Sequence, residues 1–328
     1  MQMNNDYSYS IDQCDATIAN REALHSYREK RRMWLSWIDT DEYHAISRVL
    51  SSMAWVDVSF RMLRYFAAND DQNCLHNSLL SEALLEGHLA TQVLAIRRLM
   101  DNRKDGNISL VRLLKDLKRN FALLTRENYV CFDGLPYDYQ AVQQRIWATH
   151  TGSAILWGAT SGPNAYATSE MAHKQFDKLA GINPESRSRQ DRLPTSLLLT
   201  IENWTKITDL DDLVKWSHVF LAHAGGPAER SRINHQALHL DKISNAIRTF
   251  ARVTEALSWL LYSGGLTGSL MPTAQFDQFE KLDKSVMNAG AEPDAQKLWK
   301  QLSDERNLYL NDLEIELLGI QPIKYEVK

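Results

Sequence analysis

Residues 240–261 read LDKISNAIRTFARVTEALSWLL. Within them Leu240, Ile243, Ile247, Phe250, Thr254, Leu257 and Leu261 follow one another at alternating steps of three and four. A helix turns once in 3.6 residues, so this spacing lays all of these side chains along one stripe of a helix of about 30 residues. Alternation by two, the mark of a half-buried strand, persists nowhere else over any length. Upstream, a helix is expected over 15–38, with REKRR (28–32) on its exposed side and Trp34 and Trp37 turned inward. DTDEYHAISRVL (39–50) opens the next helix, with Thr40 or Asp41 as its cap and acids in the first turn, where the helix dipole favours them. Its Ile46, Leu50, Met53, Phe60 and Leu63 keep helical spacing to about Phe66.

Further helices are read at about 77–99, 109–124, within YQAVQQRIWATH (139–150), and at 169–180, 193–207 and 209–224. TRENYVCFDGLPYD (125–138) reads as an ordered loop, and two more amphipathic helices near 275–287 and 294–312 close the chain. The fold class expected is all-α: a multi-helix bundle of long antiparallel helices with an elaborated middle connection and appended C-terminal helices. The organisation expected is a disordered 1–12, a bundle domain over 13–265 with loops and short helices inserted at 125–192, and an extension over 266–328.

Composition agrees. Eight prolines and 14 glycines in 328 residues leave few helix breakers, and 44% hydrophobic with 24% charged residues is ordinary for a globular chain. A net charge of −4 excludes a globally basic nucleic-acid binder but leaves room for a local basic face. Cys14, Cys74 and Cys131 form no CxxC pair, so neither a zinc ribbon nor a disulfide framework is indicated. The N-terminus lacks the apolar core of a signal peptide, and no run nears the ~18 apolar residues of a membrane span. The expectation is a soluble cytoplasmic protein that does not engage a membrane.

The usual catalytic signatures are missing: GxxxxGK[ST], GxGxxG after a strand, HExxH, GxSxG and the ExxH pairs of di-iron bundles. No metal site and no cofactor are expected. What remains is KWSHVFLAHAGGPAERSR (215–232), where Leu213, Trp216, Phe220 and His223 share one helical face. Two readings of His223 stay open. One is a buried, hydrogen-bonded core histidine. The other is a general acid or base, its charge favoured by the helix C-terminus and its side opened by Gly225 and Gly226. Basic residues also concentrate between Arg97 and Arg126, and Arg97, Arg98, Arg103, Lys104, Lys115 and Arg119 are the phosphate-binding candidates there, with His218 on a different face of the helix that carries His223.

WSHVFLAHA (216–224), and VLAIRRLMDNRKDGNISLVRLLKDL (93–117) before it, resemble the HEPN superfamily, most closely its bacterial abortive-infection branch. The likeness spans roughly residues 80–262. It implies a helical bundle that dimerises and, in many members, a metal-independent RNase with an R-x4–6-H motif. There the arginine holds the scissile phosphate and the histidine moves the proton as the ribose 2′-hydroxyl attacks. This chain departs from the motif, since Ser217 stands where the arginine belongs. Arg230 and Arg232, just beyond the glycines, are the candidates to supply the cation, and with His223 they make the catalytic set the resemblance implies. The function expected is a HEPN-like protein of bacterial defence, of abortive-infection or toxin type, acting on RNA as a homodimer. The alternative is a non-catalytic helical module that binds a nucleotide or a partner protein, or serves as a dimerising scaffold.

Overall fold

The computed structural model describes residues 7–76, 78–102, 106–149, 158–206, 208–219, 231, 239–262, 269–280, 290 and 292–319. Among them the chain is mostly helical, with no strand and one isolated antiparallel bridge between Thr125 and Arg192. The all-α bundle is what the periodicities require. The helices are α1 (Arg21–Leu35), α2 (Ile46–Ala68), α3 (Ser78–Leu99), α4 (Leu110–Arg119), α5 (Arg126–Cys131) and α6 (Tyr139–Thr149). They continue as α7 (Tyr166–Ala180), α8 (Thr195–Thr205), α9 (Thr208–Ser217), α10 (Leu240–Trp259), α11 (Glu292–Asn307) and α12 (Leu313–Leu318). No helix among the described residues is long and apolar enough to cross a membrane.

Local chemistry sets the boundaries. Ser109 caps α4 by accepting the Arg112 amide at 3.2 Å. The α4 face is the plain case of amphipathicity, with Leu110, Leu113, Leu114 and Leu117 buried and Lys115, Lys118 and Arg119 exposed. α7 stops at Gly181, whose φ of 64° is the left-handed conformation that glycine adopts without strain.

α10 is the axis of the bundle. It packs against α2, α8 and α9, and its residues 249–258 are all buried. The sequence stripe predicts one apolar face, but the helix is enclosed all round. Its buried charged residues survive enclosure because they are paired. Arg252 forms an ion pair with Glu316, donates to the Asn311 carbonyl at 3.2 Å, and stacks over Trp204 at 5.1 Å. Glu255 accepts the Trp259 indole N–H at 2.9 Å.

Three local expectations change. REKRR is not an exposed run: Arg28 and Arg31 are 7% and 8% exposed. Arg28 donates to the Phe132 and Tyr9 carbonyls, while Arg31 lies 3.8 Å over the Phe132 ring and donates to the Leu261 carbonyl at 3.0 Å. The N-terminal segment is tied down from Tyr7 onward, whose hydroxyl donates to the Arg28 carbonyl at 2.9 Å. Residues 126–131 form a buried helix where a loop is expected. The C-terminal helices join the same core through Trp299, Tyr309, Leu313 and Leu317.

Candidate functional site

Of the residues singled out in the sequence, His223, Arg230, Arg232, Arg103 and Lys104 lie outside the described residues. Arg97 and Arg98 are half-buried in the last turn of α3, Lys115 and Arg119 are exposed on α4, and His218 is exposed just past α9. Ser217, at the position where an R-x4–6-H motif carries arginine, is fully buried and donates to the Val214 carbonyl at 2.7 Å. Among the described residues, the basic stretch from 97 to 126 does not become one cationic face. Lys118 is paired with Glu202 at 2.8 Å, Arg112 stacks on Trp37, and Arg126 has no exposed surface at all.

Arg126 instead centres an ionic network. Thr125 caps α5, accepting the Asn128 amide at 3.3 Å, and Arg126, Glu127 and Asn128 are wholly buried. Arg126 Nη1 lies 2.6 Å from Asp177 Oδ1, and its Nε lies 2.7 Å from Asp191 Oδ2. Arg187 takes the other Asp177 oxygen and the Tyr139 hydroxyl, while Arg189 bridges Glu127 and Asp15 at 2.8 and 2.9 Å. His173 completes it. Its Nε2 is 3.0 Å from the Tyr137 carbonyl, which can only accept, so that nitrogen carries the proton. Nδ1 then offers its lone pair to Arg126 Nη1 at 3.5 Å. Burial above all, with help from Arg126 and Arg187, lowers the His173 pKa to about 4, so the ring is neutral near pH 7. Charge answers charge throughout, and the network works as a clamp joining the N-terminal segment, α5, α7 and residues 187–191.

A second network is open on one side. Asp57 of α2 is fully buried and receives Arg306 of α11, 1% exposed, at 2.8 Å. It also receives Arg61 Nε, at 3.1 and 3.0 Å to its two oxygens. Arg61 Nη2 donates to the Leu240 carbonyl at 3.0 Å and to Ser244 Oγ at 2.7 Å, which fixes the guanidinium against the start of α10. His88 lies behind Asp57, stacked on Phe60 with ring centroids 4.2 Å apart. Burial lowers its pKa, with Asp57 pulling the other way.

Arg61 is at once a member of this network and a wall of a cleft of about 890 Å³. One wall is α2, with Arg61, Arg64, Tyr65 and Asn69; the facing wall is α11, with Asp294, Lys297 and Gln301. Leu240 closes one end, and Leu298 and Leu302 contribute apolar floor. Steps of three and four along each helix bring these residues to one side. Arg64, Asp294 and Lys297 are exposed, and Tyr65 is 50% exposed. Asn69 donates its Nδ2 to the Tyr65 carbonyl, so its Oδ1 remains an acceptor.

The chemistry on offer is anion and aromatic recognition: cations on both walls, one of them preset, with an exposed phenol ring between amides. No three His, Cys, Asp or Glu side chains among the described residues come together as metal ligands. Sequence reading misses the cleft because its walls are some 230 residues apart in the chain. The signal that could have found it is the i, i+3, i+4, i+8 set Arg61, Arg64, Tyr65 and Asn69 on the polar side of α2. Comparison with protein-family models, with curated proteins and with solved structures yields no match.

Proposed function

We propose that this chain is a helical module that binds phosphate-bearing nucleotide ligands, and that the cleft between α2 and α11 is where it does so. The observation that carries the reading is Arg61, a cation held rigid by Asp57, Leu240 and Ser244, facing the same cleft as Arg64 and Lys297. A guanidinium fixed before the ligand arrives loses little side-chain freedom on binding; its Nε and Nη2 are taken by Asp57, Leu240 and Ser244, which leaves Nη1 to donate to a phosphate oxygen. The chain's net charge of −4 does not oppose this, because the field that steers a small anion is that of the cleft walls.

The HEPN-like resemblance supplies the wider context: RNA as the target, a homodimer as the working unit and bacterial defence as the setting. Within that reading His223 is the acid–base residue and Arg230 or Arg232 its phosphate-holding partner, on the strength of the sequence alone. The binding reading is tested by titrating the full chain with inorganic pyrophosphate, nucleotides and short RNA, beside the Arg64→Glu and Lys297→Glu variants. Binding that weakens roughly ten-fold or more in each variant and falls with rising salt is expected. If none of these ligands binds, or the charge reversals leave binding unchanged, the reading fails. Cleavage of RNA without divalent metal, lost in His223→Ala, tests the catalytic part separately.

A further inference from the structure

We infer that the cleft takes a single ribonucleotide carrying a terminal phosphate, and not a continuous RNA strand; this rests on the phosphate-binding reading above. Shape is the first argument. A recess of about 890 Å³ between two helices falls within the ~300–1,000 Å³ range of small-molecule sites. A strand needs a track of cations leading away from such a recess. Among the described residues, Arg126, Arg187 and Arg189 are locked in the α5 clamp, Lys118 holds Glu202 and Arg252 holds Glu316, so none of these five extends one.

Charge is the second argument. Arg61, Arg64 and Lys297 face one carboxylate, Asp294, on the cleft's lining, while behind it Arg306 is shared by Asp57 and the exposed Glu305. The charged side chains of the lining thus sum to about two positive charges, the complement of a phosphate monoester near pH 7. A phosphodiester link in RNA brings only one negative charge.

The third argument is Asp294 itself. On α11 it stands one helical turn from Lys297 and lines the same cleft. A carboxylate in a strand-binding groove repels the backbone. Beside a single nucleotide it has a use, because it accepts hydrogen bonds from the vicinal ribose hydroxyls, as carboxylates do in other nucleotide sites. Tyr65, half-exposed and packed edge-on to Phe66 at 5.5 Å, gives a base an aromatic surface, and Asn69 Oδ1 and Gln301 give its edge polar partners. Cations for phosphate, carboxylate for ribose and aromatic for base lie along one cleft.

Calorimetric titration of the full-length chain tests this. The probes are the four ribonucleoside 5′-monophosphates, their 2′-deoxy counterparts, inorganic pyrophosphate and a short RNA without a terminal phosphate. At least one ribonucleotide is expected to bind roughly ten-fold more tightly than its deoxy form, since an unmet hydrogen bond to a charged acceptor carries about that penalty. Asp294→Asn is expected to erase that gap while leaving pyrophosphate binding intact. Tyr65→Ala is expected to weaken the ribonucleotide roughly ten-fold and pyrophosphate not at all. Both residues are exposed, so unchanged melting curves are expected of the variants. The inference is overturned, with the phosphate reading left standing, if pyrophosphate or the RNA binds at the cleft more tightly than every mononucleotide. Equal affinity for ribo and deoxy forms overturns it too. Failure of every probe to bind removes both.

Discussion

Replacing His173 by glutamine removes a buried ring that the fold requires to be neutral, and stability should register the change as a function of pH. His173 is 2% exposed, between the Tyr137 carbonyl and the Arg126 guanidinium, with Arg187, Asp177 and Tyr139 around it. Its pKa falls from an ordinary 6.5 to about 4, mainly through burial. A depressed histidine pKa means that the unfolded chain takes up the proton first. The ring therefore imposes no pH dependence above about 6.5, and stability declines as pH drops from there toward about 4. At ~1.4 kcal/mol per pH unit the full loss is about 3 kcal/mol, of which about 2 kcal/mol has gone by pH 5. Glutamine donates to the Tyr137 carbonyl and offers an oxygen to Arg126 but does not titrate. Urea unfolding of wild type and His173→Gln should be compared at about pH 7.5, 6.5, 5.5 and 5.0. The difference between the two proteins cancels the carboxylates they share, and it should shift in the variant's favour by about 2 kcal/mol across the series. A constant difference would show that the ring is not held neutral, and the assignment of its donor nitrogen would fall with it.

Two further substitutions probe other buried contacts. Asp57→Ala removes the buried carboxylate that Arg306 and Arg61 share and leaves Arg306 only the exposed Glu305, so urea unfolding should show a loss of about 3–5 kcal/mol. Asp57→Asn, which keeps an acceptor oxygen, should lose distinctly less. Gly134 has a φ of 79°, and a Cβ there would sit 2.6 Å from the Tyr9 ring; Gly162, with φ 77°, faces the Tyr9 hydroxyl in the same way. Gly134→Ala should therefore cost about 1–2 kcal/mol for the backbone and about 1–3 kcal/mol for the clash. A Tyr9→Ala/Gly134→Ala double variant should recover the clash term alone, and additive losses in thermal melts would contradict the wedge.

The helices that periodicity located well are those whose burial is apolar. α3 runs Ser78–Leu99 against an expected 77–99, and α10 begins at the first leucine of its stripe. The failure at α5 has the opposite cause. RENYVC places arginine, glutamate and asparagine in a dry interior, so it carries no apolar face to find. What buries it is Asp177, Asp191 and Arg189, some 50 to 65 residues further along the chain. The same long range explains REKRR, whose Arg28 and Arg31 satisfy carbonyls at Phe132 and Leu261. Charge counted along a sequence cannot distinguish an arginine that faces water from one that holds two loops together.

That distinction bears directly on the site. Both networks use a carboxylate shared by two arginines, Asp177 by Arg126 and Arg187, and Asp57 by Arg61 and Arg306. In the first, the arginines come from α5 and from the loop after α7, and both sit within the clamp, Arg126 with no exposed surface. In the second, Arg306 comes from α11 and Arg61 from α2, the two helices that wall the cleft. Asp57 is thus the point at which the spacing of those walls and the aim of the cleft's fixed cation are set together. A change at Asp57 should therefore move ligand affinity and stability as one. Changes at Arg64, Lys297 or Asp294, which lie outside that network, should move affinity alone.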